Sequence, residues 1–530
     1  GFRSAILCAI GDTFEADRPD SAAIYYDRAL EVVERERRAS ATVGSLAGYF
    51  DREVGRVILE ILDFYAAMDR EEPDAGWSAR AFEVAERRKA RDLLDEIAAD
   101  VRLSDDPSFA VLLDSLYTID RSRPDAAALE RQVEERIARA RAEALESSNP
   151  GASLASLPAV QASLHADELL VQYALGDSTT HAWIVTRDDA HLVSLPARDA
   201  IESDVRAMRD AMARPGFGDT VLREVARRLG HHLLPAEHID LDGRRLIVVP
   251  DGALHELPFE ALIRGDDDDV PWAEVAFLGA RTPVVYAPSS SVFVAGRRGA
   301  RNHAGRERDS LRFAAFGNPD FTGLHSQPGI DPAELVPLAG SEREVLSAAA
   351  LVDASERVVL LGAEATEQRW KEIASDYSVD VLHVATHGVV DPREPDRSCV
   401  VLARDQANDG YLYTLEVLGT DLDADLVVLS ACESGRGRIR SGEGVVGLGR
   451  AFLGAGARQL VASLWKVDDA STTRLMESFY ERVFEHGDAV DEALMRSRHA
   501  MIASEETAHP FHWAAFVAIG AGADSGDAER

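Results

Sequence analysis

The chain has 530 residues, 46% of them hydrophobic, and a formal net charge of -35 with lysine confined to Lys89, Lys371 and Lys466. That balance excludes a nucleic-acid surface spread over the molecule, because phosphate binding needs concentrated cations. Three scattered cysteines, Cys8, Cys399 and Cys432, exclude a disulfide framework and point to a reducing, cytoplasmic compartment, and no apolar run approaches the roughly 18 to 20 residues that span a bilayer.

The chain opens without Met and inside a helical pattern, so an earlier segment is expected ahead of it; "GFRSAILCAIGDTFEADRPD" is a poor secretory signal, with acidic residues close behind its apolar run. Residues 1–150 carry apolar residues at helical spacing: Ala23, Ile24, Ala29, Leu30 and Val33 in one stretch, Ala81, Phe82, Ala85, Ala90, Leu93 and Leu94 in the next. Small residues beside aromatics and leucines suit stacked helical hairpins, and these segments resemble degenerate tetratricopeptide repeats without a clean 34-residue period. A third long helix, "AALERQVEERIARARAEALES", leads to the break "SSNPGASLASLP".

Beyond the break the period changes to two and to short apolar runs, "ELLVQYAL", "HAWIVT", "AHLVSLP" and "RRLIVVPDG", which mark a first α/β unit over 160–295. The basic stretch "GRRGARNHAGRERDS" reads as a linker to a second unit, 308–522, before a disordered tail, 523–530. The second unit alternates strands "RFAAFGNP", "VVLLGAEA", "VLHVATHG", "CVVLAR", "LVVLSACE", "QLVASLWKV" and "WAAFVAIG" with helical segments such as "SEREVLSAAALV" and "VVGLGRAFLGAGA". Such strands form a mainly parallel sheet flanked by helices, with reactive groups beyond the carboxyl ends of the strands.

Two of those ends carry chemistry. "VLHVATHG" ends at His387 and Gly388, and "LVVLSAC" ends at Cys432. A thiol is a strong nucleophile only as thiolate, and an imidazole within hydrogen-bond reach can take its proton. The backbone amides of Gly388 and Cys432 are the expected oxyanion donors, since glycine lets a substrate approach the main chain. Taken singly, each residue has an ordinary structural reading as a core thiol or a satisfied histidine; the pair raises the catalytic one.

These motifs, with "GEGVVGLGRAFLGAGARQLVASLWKVDD", "RRLIVVPDGALHELPFEAL", "APSSSVFVAG", "FAAFGNPDF", "LAGSEREV" and "GAEATEQRW", closely resemble the CHAT protease family, relatives of caspases and separases, over about residues 165–520. The resemblance implies a caspase-like active half preceded by a degenerate half, with a tetratricopeptide-like region in front. It implies a thiol protease, with His387 as general base and Cys432 as nucleophile. It also implies that the strand carrying "SLW" leads into the pocket for the residue before the cut, with Trp465 as a wall and Lys466 where separases carry an acidic residue. Asp468, Asp469, Glu433 and Glu443 are further candidates near that pocket; for Asp468 and Asp469 capping of the helix that follows is the favoured reading. The resemblance makes "VVPDGALHELPFEAL" an interface, in which Pro250 and Gly252 turn the chain and His255 and Glu256 satisfy a polar contact.

Arg436, Arg438 and Arg440 form a basic run after Cys432, read as solvated charge or as a regulatory loop. "GEGVVG" lies too far from its strand for a dinucleotide fingerprint, and His383 with His387 lacks the glutamate of a zinc motif and sits on a strand. Neither that pair nor His231, His232 and His238 makes a metal site, and no cofactor is called for. The expected activity is cleavage of a protein substrate by a cysteine endopeptidase, with a regulatory protein or ligand sensed through the helical region and no direct contact with membrane or nucleic acid. The alternative is a catalytically silent scaffold.

Overall fold

The computed structural model describes residues 2–15, 17–40, 47–89, 154–216, 218–265, 270–303, 311–327, 330–376, 379–391, 397–431, 438–440, 444–446, 448–465 and 468–522, with 108, 111–112, 115, 128–129, 131–133 and 135–136. Four helices come first: α1 (Phe2–Asp12), α2 (Pro19–Ser40), α3 (Ala47–Glu71) and α4 (Trp77–Glu86). On α2 the inward stripe is Ala22, Ala23, Tyr26, Ala29, Leu30 and Val33. Ile24, which the sequence pattern placed on that stripe, is 53% exposed; two positions, or about 200°, separate it from both Ala22 and Tyr26 on the helical wheel. Ala81, Phe82 and Ala85 are buried as the pattern indicates, while Ala90, Leu93 and Leu94 lie outside the described residues.

The helical core continues into the α/β part. Phe82 packs edge-on to Trp183 at 5.8 Å between centroids, Trp183 Nε1 donates to Ser78 O at 3.1 Å, and His181 Nε2 lies 2.7 Å from Asp63 Oδ1. A buried indole with its N–H paired unites apolar contact with a fixed orientation.

The α/β part holds strands β1 (Glu168–Ala174), β2 (Thr180–Val185) and β3 (Ala190–Leu195), helices α5 (Arg198–Met212) and α6 (Asp219–Leu233), strands β4 (Arg245–Val249) and β5 (Val284–Tyr286), and helix α7 (Ser290–His303). Then come β6 (Phe313–Pro319), α8 (Ala339–Ala350), β7 (Arg357–Gly362), α9 (Glu367–Asp376), β8 (Val381–Ala385), β9 (Gly388–Val389), β10 (Cys399–Val401), β11 (Tyr411–Tyr413) and β12 (Leu426–Leu429). The last elements are β13 (Arg438–Arg440), β14 (Gly444–Val446), α10 (Leu448–Gly454), β15 (Gln459–Ser463), α11 (Asp469–Glu481), α12 (Val490–Ile502) and β16 (Phe516–Gly520). Eleven described strands make one sheet in the order β3-β2-β1-β4-β5-β16-β15-β12-β8-β6-β7. The strands β1, β4, β5 and β16 are mutually parallel, as are β15, β12, β8, β6 and β7; β16 against β15 is the antiparallel seam between the sets. The two α/β units therefore share one sheet. Alternate residues serve its two faces: Leu426 and Val428 of β12 join the core under α8, α11 and α12, while Val427 and Leu429 join the core under α9 and α10.

Buried ion pairs cross between the units. On β4, Arg245 contacts Glu168 of β1 at 3.2 Å and is bound to Asp491 of α12, and Arg498 of α12 lies 3.0 Å from Glu260 with both side chains fully buried. Such pairs act more on the uniqueness of docking than on net stability, because desolvation offsets much of the attraction.

Three segments differ from the sequence pattern. "CVVLAR" forms a small antiparallel sheet with β9 and β11 instead of joining the main one. Part of the segment after Cys432, read as helical, pairs as the β13–β14 hairpin before α10 begins at Leu448. The first half of the basic linker is helical to His303, with Arg297 buried against Glu168 at 2.5 Å. No helix among the described residues is long and apolar enough to cross a membrane.

Candidate active site

Strand β8 is buried along its whole length because both faces are covered, and the chain turns just past it. Thr386 Oγ1 donates to Val401 O at 2.5 Å and Val401 N donates to His387 O at 2.9 Å, so the turn is pinned on both sides of its peptide. His387 Nε2 lies 2.8 Å from the carbonyl oxygen of Val336, and Phe321 packs on the ring at 5.1 Å between centroids. A carbonyl can only accept, so Nε2 carries the hydrogen and the lone pair of the neutral ring resides on Nδ1. That is the tautomer of a base working through Nδ1. Gly388 faces Val400 across the β9–β10 ladder. With Val401 N bonded to His387 O, this is a non-hydrogen-bonded pair, so the ladder does not engage the Gly388 amide.

Beside this turn, at the carboxyl ends of β8, β12 and β15, lies a cavity of about 50 Å³ lined by Ser341, Glu344, Ser430, Ser463, Trp465 and Asp469 among others. Its floor is held by polar groups. Ser430 Oγ donates to Glu344 Oε2 at 3.1 Å, and Ser463 Oγ donates to Ala431 O at 2.7 Å, which fixes the Ala431 carbonyl. Beneath, buried His383 places Nδ1 2.5 Å from Tyr480 Oη and Nε2 3.2 Å from Glu344 Oε1. The second approach is ionic in distance but poorly aligned as a hydrogen bond. Burial first, and the Glu344 charge second, push the Tyr480 hydroxyl far above its usual range. It therefore stays protonated and donates to Nδ1 of His383.

Trp465 lines the cavity. Asp468 does not: its carboxylate caps α11, accepting from Ser471 N at 3.1 Å, while its neighbour Asp469 reaches the cavity from the first helical position. The cap dominates because α11 starts with unpaired amides that a short carboxylate satisfies. Asp468→Ala is accordingly expected to destabilise the fold by about 1 kcal/mol, read as a lower midpoint in urea. Cys432, Glu433, Arg436, Glu443 and Lys466 lie outside the described residues, and of Arg438 and Arg440 only the backbone strand is described.

The profile of the CHAT domain matches residues 223–521. The chain belongs to the CHAT domain family. Human tetratricopeptide repeat protein 28 is 25% identical over 364 residues, which are 62% of this chain and 13% of that protein. The mouse protein of the same name is 33% identical over 109 residues, 21% of this chain and 4% of that protein. The chain thus spans a small part of the curated relatives it matches. Among solved structures, a Saccharomyces cerevisiae separase–securin complex superposes with a TM-score of 0.55 at 10% identity, covering 95% of this chain and 37% of that one. That likeness is one of fold, a caspase-like sheet with a helical region in front.

The matched CHAT segment runs from within α6 to the end of β16, so it takes in β4 and β5 as well as the strands around His387. Within this CHAT domain, sequence reasoning did not single out Val336, Glu344, Ser430 or Tyr480. Glu344 and Ser430 lie inside the quoted motifs "LAGSEREV" and "LVVLSACE", but neither residue was given a role.

The β4 side of the sheet has its own polar junction. Asp251, after β4, lies 3.3 Å from Arg88 of the helical region and accepts from Leu175 N at 2.7 Å, while Lys89 Nζ donates to Pro250 O at 2.6 Å. Glu86 accepts from Ser291 N at 2.9 Å and Ser291 Oγ at 2.6 Å. Glu256 is ion-paired with Arg209. Arg88 and Lys89 thus tie the end of α4 to the loop "VVPDGALHE" of the CHAT segment, and Glu86 ties α4 to α7.

Proposed function

We propose that this chain is a cysteine endopeptidase in which Cys432 attacks a peptide carbonyl and His387 moves the proton. The observation that carries this is register: Val428 pairs with His383 and Leu429 with Val384, and the same offset of 45 residues separates His387 from Cys432. Parallel neighbours with that offset place the carboxyl ends of β8 and β12 level at one sheet edge, and in sequence His387 follows the first end by two residues and Cys432 the second by three. Membership of the CHAT family and the Nε2–H tautomer held by Val336 support the same reading.

In the first step Nδ1 of His387 takes the thiol proton, sulfur bonds to the carbonyl carbon, and the oxyanion turns toward the amides of Gly388 and residue 432. The imidazolium then protonates the departing amine as the C–N bond breaks, and water, deprotonated by the same ring, releases the acyl group. The cavity between Glu344, Asp469 and Trp465 takes the side chain before the cut. Its carboxylates disfavour an acidic residue there and favour one that donates hydrogen bonds. Regulation would enter through the helical region, a protein-binding surface: the turn Gly252–Glu256, next to the Asp251 junction, lies against the β13–β14 hairpin that follows Cys432.

The test is a peptide-library digest with the full chain and with Cys432→Ala. New termini that vanish in Cys432→Ala are expected. Identical termini from both proteins, or none from either, would overturn the reading in favour of a silent scaffold.

A further inference from the structure

Among the described residues Asn318 is the one non-glycine residue with a positive φ, +44°. It sits where the register of β6 shifts against β7, one residue after Gly317, which pairs with Ala385 next to the His387 turn. Asparagine tolerates the left-handed region better than most residues but still at some cost, and a bulge of this kind re-aims a side chain. What the conformation achieves is visible in the bonds. Asn318 Oδ1 accepts from Leu338 N at 2.7 Å, its Nδ2 donates to Glu342 Oε2 at 3.0 Å, and its own N–H donates to Ser341 Oγ at 3.0 Å. Leu338 is the residue that precedes α8 and has no side chain able to cap it. The Asn318 carboxamide fixes that entry from outside the helix.

Two residues before Leu338 stands Val336, whose carbonyl orients His387. Pro337 lies between them. The peptide planes are rigid and the proline ring fixes φ, so only ψ of Pro337 rotates between the Val336 carbonyl and the Leu338 amide. Locking Leu338 therefore largely locks Val336 O. The first two turns of α8 also present Ser341 and Glu344 to the cavity.

We propose that Asn318 is a positioning residue for the dyad, acting through Leu338, Pro337 and the Val336 carbonyl to hold His387 in its Nε2–H tautomer. The proposal rests on the reading of His387 as the base for Cys432. It does not make Asn318 a catalytic residue, since no reacting atom touches it.

The test uses the full chain labelled with ¹⁵N-histidine, with His387→Gln to assign the His387 signals, and follows alkylation of Cys432 by iodoacetamide against pH. Asn318→Gly keeps the positive φ and the backbone N–H bond to Ser341 Oγ but removes both side-chain bonds, to Leu338 N and to Glu342. It is expected to shift the His387 nitrogens toward a mixture of tautomers, to slow alkylation near neutral pH by about ten- to a hundredfold, and to raise its pH midpoint. Asn318→Asp keeps the acceptor for Leu338 N but sets a second carboxylate against Glu342; adding Glu342→Gln returns the donor and is expected to restore tautomer and rate together. This second pair decides the question if Asn318→Gly does not fold. A folded Asn318→Gly with the wild-type tautomer and alkylation profile would overturn the role of Asn318. A wild-type Cys432 that titrates like a free thiol would instead overturn the dyad, so the two failures are read on different residues.

Discussion

His387→Gln is expected to lower kcat/KM on any cleaved peptide by about 10² to 10⁴, the usual worth of a positioned general base. Glutamine still offers a donor to the Val336 carbonyl, so the turn pinned by Thr386 and Val401 should survive. What it lacks is a basic lone pair where Nδ1 stood. The loss should appear in acylation, measured as the burst rate on an activated ester, with thermal stability little changed. A variant that keeps wild-type acylation would remove His387 from the mechanism.

Asp251→Asn is expected to cost about 3–5 kcal/mol at neutral pH, because it leaves buried Arg88 without its paired carboxylate and Lys89 with Glu86 alone. Burial on its own would raise the Asp251 carboxyl, but Arg88, Lys89 and the Leu175 amide together hold it down at about 2. Lys89 is pushed by burial to about 8 although Asp251 and Glu86 pull the other way. A carboxylate depressed below its ordinary 3.8 contributes stability that is complete above that pH and lost as pH falls through about 2. Wild type should therefore weaken on acidification over that window more than Asp251→Asn does. Guanidinium denaturation at neutral pH and near pH 3 measures both effects. Coincident midpoints for the two proteins at neutral pH would contradict the account of this junction.

Much of this was legible in the residues because buried parallel strands write themselves as unbroken apolar runs. "VLHVATHG" and "LVVLSACE" could be placed at strand ends without coordinates. The carbonyl that orients His387 could not: Val336 acts through its backbone, and a backbone acceptor leaves no side-chain signature. Asn318 was visible inside "FGNP", yet its partner lies 20 residues downstream and depends on how β6 and α8 meet. Glu344 looked like one of several charges on an amphipathic helix, and only the packing of α8 on β8 reveals that it is buried beside His383. The Cys399 strand is three residues long, too short for its apolar run to reveal which sheet it joins. The Asp468 cap could be read from a carboxylate standing just before a helical pattern, whereas the exposed Ile24 follows from how its helix is rotated, which composition alone does not fix.

The central claim is that Cys432 is a nucleophile activated by His387. Its most direct test is the pH profile of Cys432 alkylation in wild type and His387→Gln, with the adduct located by peptide mass spectrometry. The account predicts a wild-type midpoint well below the roughly 8.5 of an ordinary thiol, moving up toward that value when His387 is replaced. Superimposable profiles centred near 8.5 in both proteins would contradict it.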